Sequence, residues 1–365
     1  MLVRTVRTVL CYVHLLFLLT SSSWSSVVGE GAKPAGRSRH TMVLEAPRRF
    51  WLFGGSGSTS LSLRFSDLWM FDLELQVWFQ LEQSQLNETP TAREDHVAVW
   101  DPGGSALWVH GGYDGANFLQ DLWHYSTGSW TLQSQNGPTR SGHIAVWNEF
   151  SLLIHGGFDG NGLHSDTWKF DSHSLSWTQI FSVNEETADP SPRAQHVGVW
   201  DAGILWIHGG FDGSSFCDDL WQFHLGTSLW IRIGTGSSAT DSDVPPRRGY
   251  HAAAWDDVSA ALWIHGGMDD HEVRGDLWRF DSRTNLWSFM GDSTVEAPFG
   301  RYNHVAAWDV KSKMLWIHGG QSAQAALGAL GDFWNSNVLS TTVTSSLTST
   351  VMTVSSTHTS TPTFT

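Results

Sequence analysis

Cysteine is nearly absent from this chain of 365 residues, which has only Cys11 and Cys217. Two thiols are too few for a disulfide scaffold or a cysteine-based zinc module. Basic residues are scarce too, with 21 Lys plus Arg against 36 Asp plus Glu and a formal charge of −15. That balance excludes the basic surface that nucleic-acid phosphates demand. Long apolar runs are also missing. The longest, Val9 to Leu19, is about eleven residues, where a spanning helix needs roughly 20. Hydrophobic residues nonetheless make up 41% of the chain, enough for a sizeable core, so wholesale disorder is excluded. The anomaly is tryptophan, present 22 times.

The ends differ from the middle. Residues 1–23 read as a secretory signal, with Arg4 and Arg7 ahead of the apolar run and small residues Thr20 to Ser23 at a cleavage site. The expected localisation is therefore extracellular; an uncleaved N-terminal anchor is the alternative. Cleavage would leave Cys217 as the only thiol, so stability must come from packing. Residues 336–365 contain 19 Ser or Thr and no charged side chain, which predicts a flexible stalk, O-glycosylated or bare. Asn87-Glu88-Thr89 is an N-glycosylation sequon in a predicted loop.

Between the ends the chain repeats itself. Glycine doublets fall at Gly54-Gly55, Gly111-Gly112, Gly156-Gly157, Gly209-Gly210, Gly266-Gly267 and Gly319-Gly320, spaced by 57, 45, 53, 57 and 53 residues. Five of the six are preceded by His. Asp-x-Trp follows each doublet, beginning at Asp67, Asp121, Asp166, Asp219, Asp276 and Asp332, and Arg-x-x-His precedes each, from Arg37/His40 to Arg301/His304. Such regularity is itself a fold signature. Each copy holds four short runs of β-formers; in the second they are His96 to Trp100, Leu107 to His110, Leu122 to Tyr125 and Trp130 to Leu132. The first two are apolar almost throughout, which predicts sheets covered on both faces. Six such sheets point to blades around an axis.

These motifs resemble the Kelch repeat: a glycine doublet after an apolar strand, an aromatic about ten residues on, and a further Trp. The resemblance spans about Trp24 to Trp334 and implies an all-β, six-bladed β-propeller over 24–335. One departure is that Trp dominates the third strand, where Kelch copies usually place Tyr.

The tryptophans then find addresses. Four slots per repeat hold 21 of the 22: Trp100 and its equivalents in the first strand, Trp108 in the second, Trp123 in the third and Trp130 in the fourth. The one left over is Trp24. The sixth copy lacks its fourth-strand Trp, so the segment Trp24 to Val28 is expected to supply that strand and close the ring.

No catalytic constellation is visible, and the expectation is a non-enzymatic module with neither cofactor nor metal. One equivalent His per blade is spread around a ring rather than converging on an ion, which predicts that the repeat histidines satisfy buried polar groups between blades. His164 and His271 lie outside the repeat slots, with no obvious partner in their own copies. The glycine doublets lack the Gly-Lys-Ser/Thr of a phosphate loop and serve tight turns instead. Among Kelch relatives, the copper oxidases use a Tyr cross-linked to Cys, and the iron-dependent specifier proteins a Glu-x-x-x-Asp-x-x-x-His motif. Neither set is present: Glu272 and Asp276 continue to Phe280 where His is needed.

Binding is expected on one face, where the loops after the glycine doublets join those that enter each blade. Turn-forming Asp114, Asp159 and Asp212, with Asp269, Asp270 and Glu272, are the candidate binding residues. Further acids on these loops are Glu88, Glu94, Glu185, Glu186, Asp189, Asp241, Asp243, Asp292 and Glu296. Acidic loops serve solubility, or they meet a basic segment of a protein; the resemblance implies protein partners. Carbohydrate is a second ligand class, and the propeller is expected to be monomeric. The alternative function is a secreted carbohydrate-active or oxidase-type enzyme working at the central channel.

Overall fold

The computed structural model describes residues 23–28, 31–57, 63–82, 88–183, 189–234, 243–292, 297–323 and 328–337. Most of the signal segment, Asn87 and the Ser/Thr-rich stretch from 338 onward lie outside the described residues.

Six antiparallel sheets of four strands form a propeller with one blade per repeat. Strand ends differ from the expectation by a residue or two: blade two runs Val97–Asp101, Ala106–His110, Leu122–Ser126 and Ser129–Ser134. Its second strand is buried along its whole length, as the apolar pattern requires. Its innermost strand alternates between buried and half-buried because one side lines the axial channel.

The ring closes through the N-terminal segment. Ser23–Ser26 pairs antiparallel with Phe333–Asn337, placing Trp24 opposite Ser336 as the outer strand of blade six. The Trp24 ring lies 5.3 Å from His265 of blade five, just as Trp177 lies 5.0 Å from His110 and Trp287 5.3 Å from His208. Trp24 thus fills the environment of the other fourth-strand tryptophans.

At the axis one residue per blade adopts a left-handed conformation: Arg39, Asp95, Gly142, Gln195, Tyr250 and Asn303, with φ of 53–62°. Each donates its backbone N–H to the carbonyl of its counterpart in the neighbouring blade, at 2.8–3.0 Å, so that six hydrogen bonds circle the channel. The bonds offset the strain that a side chain meets in this conformation.

The glycine doublets have a stronger reason than a tight turn. A Cβ on Gly209 (φ +66°) would lie 2.6 Å from the carbonyl oxygen of Arg248 in the next blade, and one on Gly210 (φ +97°) 2.7 Å from the His196 side chain. Only glycine lets the blades approach this closely.

Each Arg-x-x-His arginine is buried and held by its own blade. Arg193 donates to the Gly209 carbonyl at 2.9 Å and to both oxygens of Asp219 at 2.6 and 2.9 Å. The same carboxylate accepts the Trp221 indole N–H at 2.6 Å. Arg37–Asp67–Trp69, Arg93–Asp121–Trp123, Arg248–Asp276–Trp278 and Arg301–Asp332–Trp334 repeat the arrangement. Arg140 departs from it, reaching both oxygens of Asp166 through Nη2 and giving Nη1 to the Thr139 carbonyl.

The repeat histidines pair with one another across blade boundaries. His110 Nδ1 lies 3.0 Å from His143 Nε2, and His208–His251, His265–His304 and His318–His40 match it at 2.9–3.0 Å. His155 bonds Thr167 instead, with the His196 ring edge-on at 5.5 Å. The junction of blades one and two differs: Phe53 stands in the histidine slot, and His96 bonds Thr41 Oγ1 at 3.0 Å. Burial strips the imidazolium of hydration and pushes His96, His110, His155, His208, His265 and His318 down to about 3. Burial, then the neighbouring ring, drives His40, His143, His196, His251 and His304 well below 6.5.

Two tests follow from this architecture. Trp24→Ala is expected to lower stability by about 2–4 kcal/mol, in the range of large-to-small core truncations. A melting temperature unchanged within error would refute closure by this strand. The second test is acid. These histidines are neutral in the fold but protonate in the unfolded chain below its pKa of about 6.5, so stability is full above that pH and lost as pH falls. Each contributes a loss of about 1.4 kcal/mol per pH unit. Eleven together exceed a whole domain's stability of about 5–15 kcal/mol within roughly one unit. Tryptophan fluorescence is therefore expected to report cooperative unfolding between about pH 6 and about pH 4.5. Val97→Thr with His110→Phe copies the Thr41/Phe53 junction into the next blade boundary and should move the midpoint to lower pH. A native spectrum retained at pH 4, or a midpoint unmoved in the double variant, would contradict this account.

Candidate functional site

The loop face carries a cavity of about 1290 Å³. A narrow axial passage of about 120 Å³ continues below it, and Arg39, Asp95, Gln195 and Tyr250 line both, which makes them the floor. All four belong to the left-handed axial ring, so the six hydrogen bonds that circle the channel also fix the floor's backbone.

The walls come from the residue after the glycine doublet in five blades, Ser56, Tyr113, Phe158, Phe211 and Gln321; blade five has Met268 at that position, outside the cavity lining. Backbone bridges tie them to the entering chain, as in Glu94 with Tyr113, Ser141 with Phe158 and Ala194 with Phe211. A second bridge brings Phe118 beside Tyr113, Leu163 beside Phe158 and Phe216 beside Phe211. Phe118 in turn stands edge-on to Phe158 at 5.3 Å. The apolar wall therefore covers blades two to four, whereas blades six and one present Gln321, Ser56 and Arg64.

The floor carries charge of both signs. Glu94 accepts from Arg64 at 2.7 Å, and the Arg64 guanidinium sits 5.0 Å over the Tyr113 ring. Asp95 accepts from Gln195 at 3.1 Å, and burial pushes its carboxyl above the usual range. Arg39 approaches Glu94 and Asp95 only to 3.5 and 3.6 Å.

The aspartates predicted to bind ligand crown the walls. One oxygen of each closes its own loop: Asp114 accepts from the backbone N–H groups of Ala116 and Asn117, Asp159 from Asn161 and Gly162, Asp212 from Ser214 and Ser215, and Asp269 from His271 and Glu272. Burial works against ionisation, but these turn bonds outweigh it, holding Asp114 and Asp212 below the usual carboxylate range and Asp159 at about 2. The rim therefore stays anionic at physiological pH. Asp269 and Glu272 both meet Arg274, whereas Asp270 is exposed.

Two expectations are corrected. His164 has a partner in its own copy, with Nε2 3.2 Å from Asp159 Oδ2. Glu94 is not a solvated loop acid but a buried one paired with Arg64. Glu185, Glu186, Asp241 and Glu296 lie outside the described residues. Cys217 is half-buried, and burial pushes its thiol up to about 11. Among the described residues no group of three or more His, Cys, Asp or Glu is placed to hold a metal ion. Sequence reasoning missed the floor residues, which occupy the second of the two variable positions inside Arg-x-x-His.

Comparison with known proteins agrees with the architecture. A family model described as the KLHDC2/KLHL20/DRC7 Kelch-repeats domain matches residues 6–179 and 126–291. The Leucine-zipper-like transcriptional regulator 1 homolog of Drosophila melanogaster is 27% identical over 78% of this chain and 29% of its own length. Tip elongation aberrant protein 1 of Schizosaccharomyces pombe is 39% identical over 30% of this chain and 10% of its own. The Rab9 effector protein with kelch motifs of Danio rerio is 30% identical over 29% of each. The chain thus spans less than a third of the length of these curated relatives.

The floor's ion pairs can be tested for their structural weight. Arg64→Met leaves Glu94 buried beside only the distant Arg39 and is expected to cost up to about 3 kcal/mol by urea denaturation. Adding Glu94→Gln should recover most of that loss. A double variant no more stable than the single would show that Arg64 acts by packing rather than by charge.

Proposed function

This chain belongs to the Kelch-repeat family, and from that premise we propose that it is a protein-binding module whose ligand docks in the loop-face cavity. The observation that carries the reading is the cavity itself, an opening of about 1290 Å³ with aromatic walls on a rigid ring and a rim of ionised aspartates. Apolar walls with a few placed polar groups favour recognition. The acidic rim favours a basic segment of the partner. Among the relatives, the Rab9 effector is named for a protein partner. The function is non-enzymatic and the propeller works as a monomer.

Export belongs to the same proposal. It is supported by the arginines and apolar run of residues 1–23. A cut on either side of Ser23 leaves Trp24 in the new chain, free to pair with the last blade. Expression of the full chain in a eukaryotic cell line should yield secreted protein whose sequenced N-terminus is Ser23 or Trp24; retention inside the cell with Met1 intact would refute export.

The binding reading is tested by immobilising the purified chain and capturing partners from an extracellular protein mixture at low and high salt. Captured partners are expected to be released at high salt, where charge attraction is screened. They should also be absent from a column carrying Phe158→Gln and Phe211→Gln, which copy Gln321 of blade six. Partners held equally by that variant would place binding away from the cavity.

A further inference from the structure

Asn-Gly occurs twice in this chain, at Asn136-Gly137 and Asn161-Gly162, and the fold treats the two differently. In this pair the main-chain nitrogen of the glycine can attack the asparagine side-chain carbonyl, because no Cβ crowds its approach. A bond forms between that nitrogen and Cγ and the Cγ–Nδ2 bond breaks. The side-chain nitrogen leaves as ammonia, taking the glycine's proton. Water then opens the cyclic imide at either carbonyl. The products are aspartate and isoaspartate, the latter with its main chain running through Cγ.

Gly137 is buried, and a Cβ there would lie 2.8 Å from the Gln120 carbonyl oxygen and 3.0 Å from both His110 Nε2 and the Trp177 ring. Pro138 follows it and restricts its backbone further. That site is clamped. Asn161, by contrast, is exposed at the lip of blade three, and its side-chain amide has no partner among the described residues. Beyond the chain neighbours, no atom lies within 4 Å of where a Cβ on Gly162 would stand. The restraint here is a pair of hydrogen bonds. Asp159 Oδ1 accepts the Asn161 and Gly162 N–H groups at 2.8 and 3.0 Å, and Asp159 Oδ2 lies 3.2 Å from His164 Nε2. The attacking nitrogen is therefore the one that Asp159 holds, and it must leave that bond before it can turn onto Cγ. Asn117 sits in the matching turn of blade two, but its Nδ2 reaches Asp114 Oδ2 at 3.3 Å and the bulky Phe118 follows it.

We propose that Asn161 is a site of spontaneous modification in the cavity wall, converted to isoaspartate and aspartate at a rate set by opening of the Asp159 turn. Exposed loops open at far lower free energy than blade cores, so the fold slows this site without sealing it. The change falls where the wall is built. Gly162 and Leu163 line the cavity; Leu163 is bridged to Phe158 and packs on blade four, its Cδ1 3.3 Å from where a Cβ on Gly213 would stand. Isoaspartate inserts one main-chain atom between the two N–H groups that share Asp159 Oδ1, so the turn cannot keep both bonds. Either product also sets a new carboxylate beside that of Asp159. The modified chain carries a displaced lip and an added negative charge in blade three alone. The reaction itself does not depend on what the cavity binds.

The purified full chain would be held in mildly alkaline buffer at body temperature and sampled by peptide mapping, with isoaspartate scored by enzymatic methylation of its carboxyl. Modification is expected at Asn161 at least tenfold faster than at Asn136 or Asn117, with isoaspartate in excess over aspartate. In urea the two Asn-Gly pairs should react at similar rates. Asp159→Ala removes both turn bonds and should speed Asn161 several-fold. Gly162→Ala adds a Cβ into open space and should slow it at least tenfold. Both changes lie in the loop, outside the blade's core. Equal rates at Asn161 and Asn136 in the folded chain, or a difference that persists in urea, would overturn the inference, since the fold would not then select the site. Aspartate formed without isoaspartate would also overturn it, by excluding attack from the Gly162 nitrogen. A rate unmoved by Asp159→Ala would refute control by the turn.

Discussion

A buried guanidinium is the constraint on which the rest of this propeller depends. An arginine without solvent needs its charge and donors met locally, or the cost runs to several kcal/mol. Five blades answer in the same way, with a carboxylate held bidentate, a glycine carbonyl and an indole N–H that completes the carboxylate's shell; Arg140 keeps the carboxylate and the indole but turns to the Thr139 carbonyl. One side chain thereby ties three points of the chain: the entry to the inner strand, the end of the second strand and the start of the third. All lie on the loop face. The blade's least regular segments are thus pinned by its most regular contact.

The same choice dictates the histidines. With a buried arginine in each blade, a second buried cation close by is intolerable, and arginine recurs among the causes that keep the rings neutral. Neutral imidazole is both donor and acceptor, which suits pairing across a blade boundary. The result is a seam joined by bonds that exist only while the rings are neutral. Phe53 shows that the slot itself requires a planar ring rather than a histidine. What histidine adds is a directional bond, together with sensitivity to acid.

Much of this was legible in the sequence because the repeat reports geometry. Glycine doublets, apolar second strands and a stray Trp24 specified blades, ring and closure, since each copy solves the same packing problem. Pairings across the repeat were harder to see. Arg193 and Asp219 are 26 residues apart and Arg301 and Asp332 are 31 apart, so the variable loop between them hides a fixed contact. The histidines were correctly placed between blades, but not as partners of one another. That follows from ring proximity across separations of 33 to 278 residues, which no local pattern encodes. The rim aspartates were visible as turn formers, whereas the paired state of Glu94 was not, because Arg64 reaches it from the neighbouring blade.

The floor of the cavity shows where information about binding sits in such a chain. Positions that define the blades are repeated because every blade needs them, so they cannot distinguish one direction across the face from another. Between each Arg and His lie two positions that the packing leaves open: Ser38-Arg39, Glu94-Asp95, Ser141-Gly142, Ala194-Gln195, Gly249-Tyr250 and Tyr302-Asn303. The second of each pair is held by the axial hydrogen bonds through its backbone alone, so its side chain is free to vary without loosening the ring. Rigidity and variability coincide there, which is the condition for a specific site on a symmetric scaffold. The asymmetry of the face, aromatic over blades two to four and polar over blades six and one, is written in those unconstrained positions and in the residue after each glycine doublet.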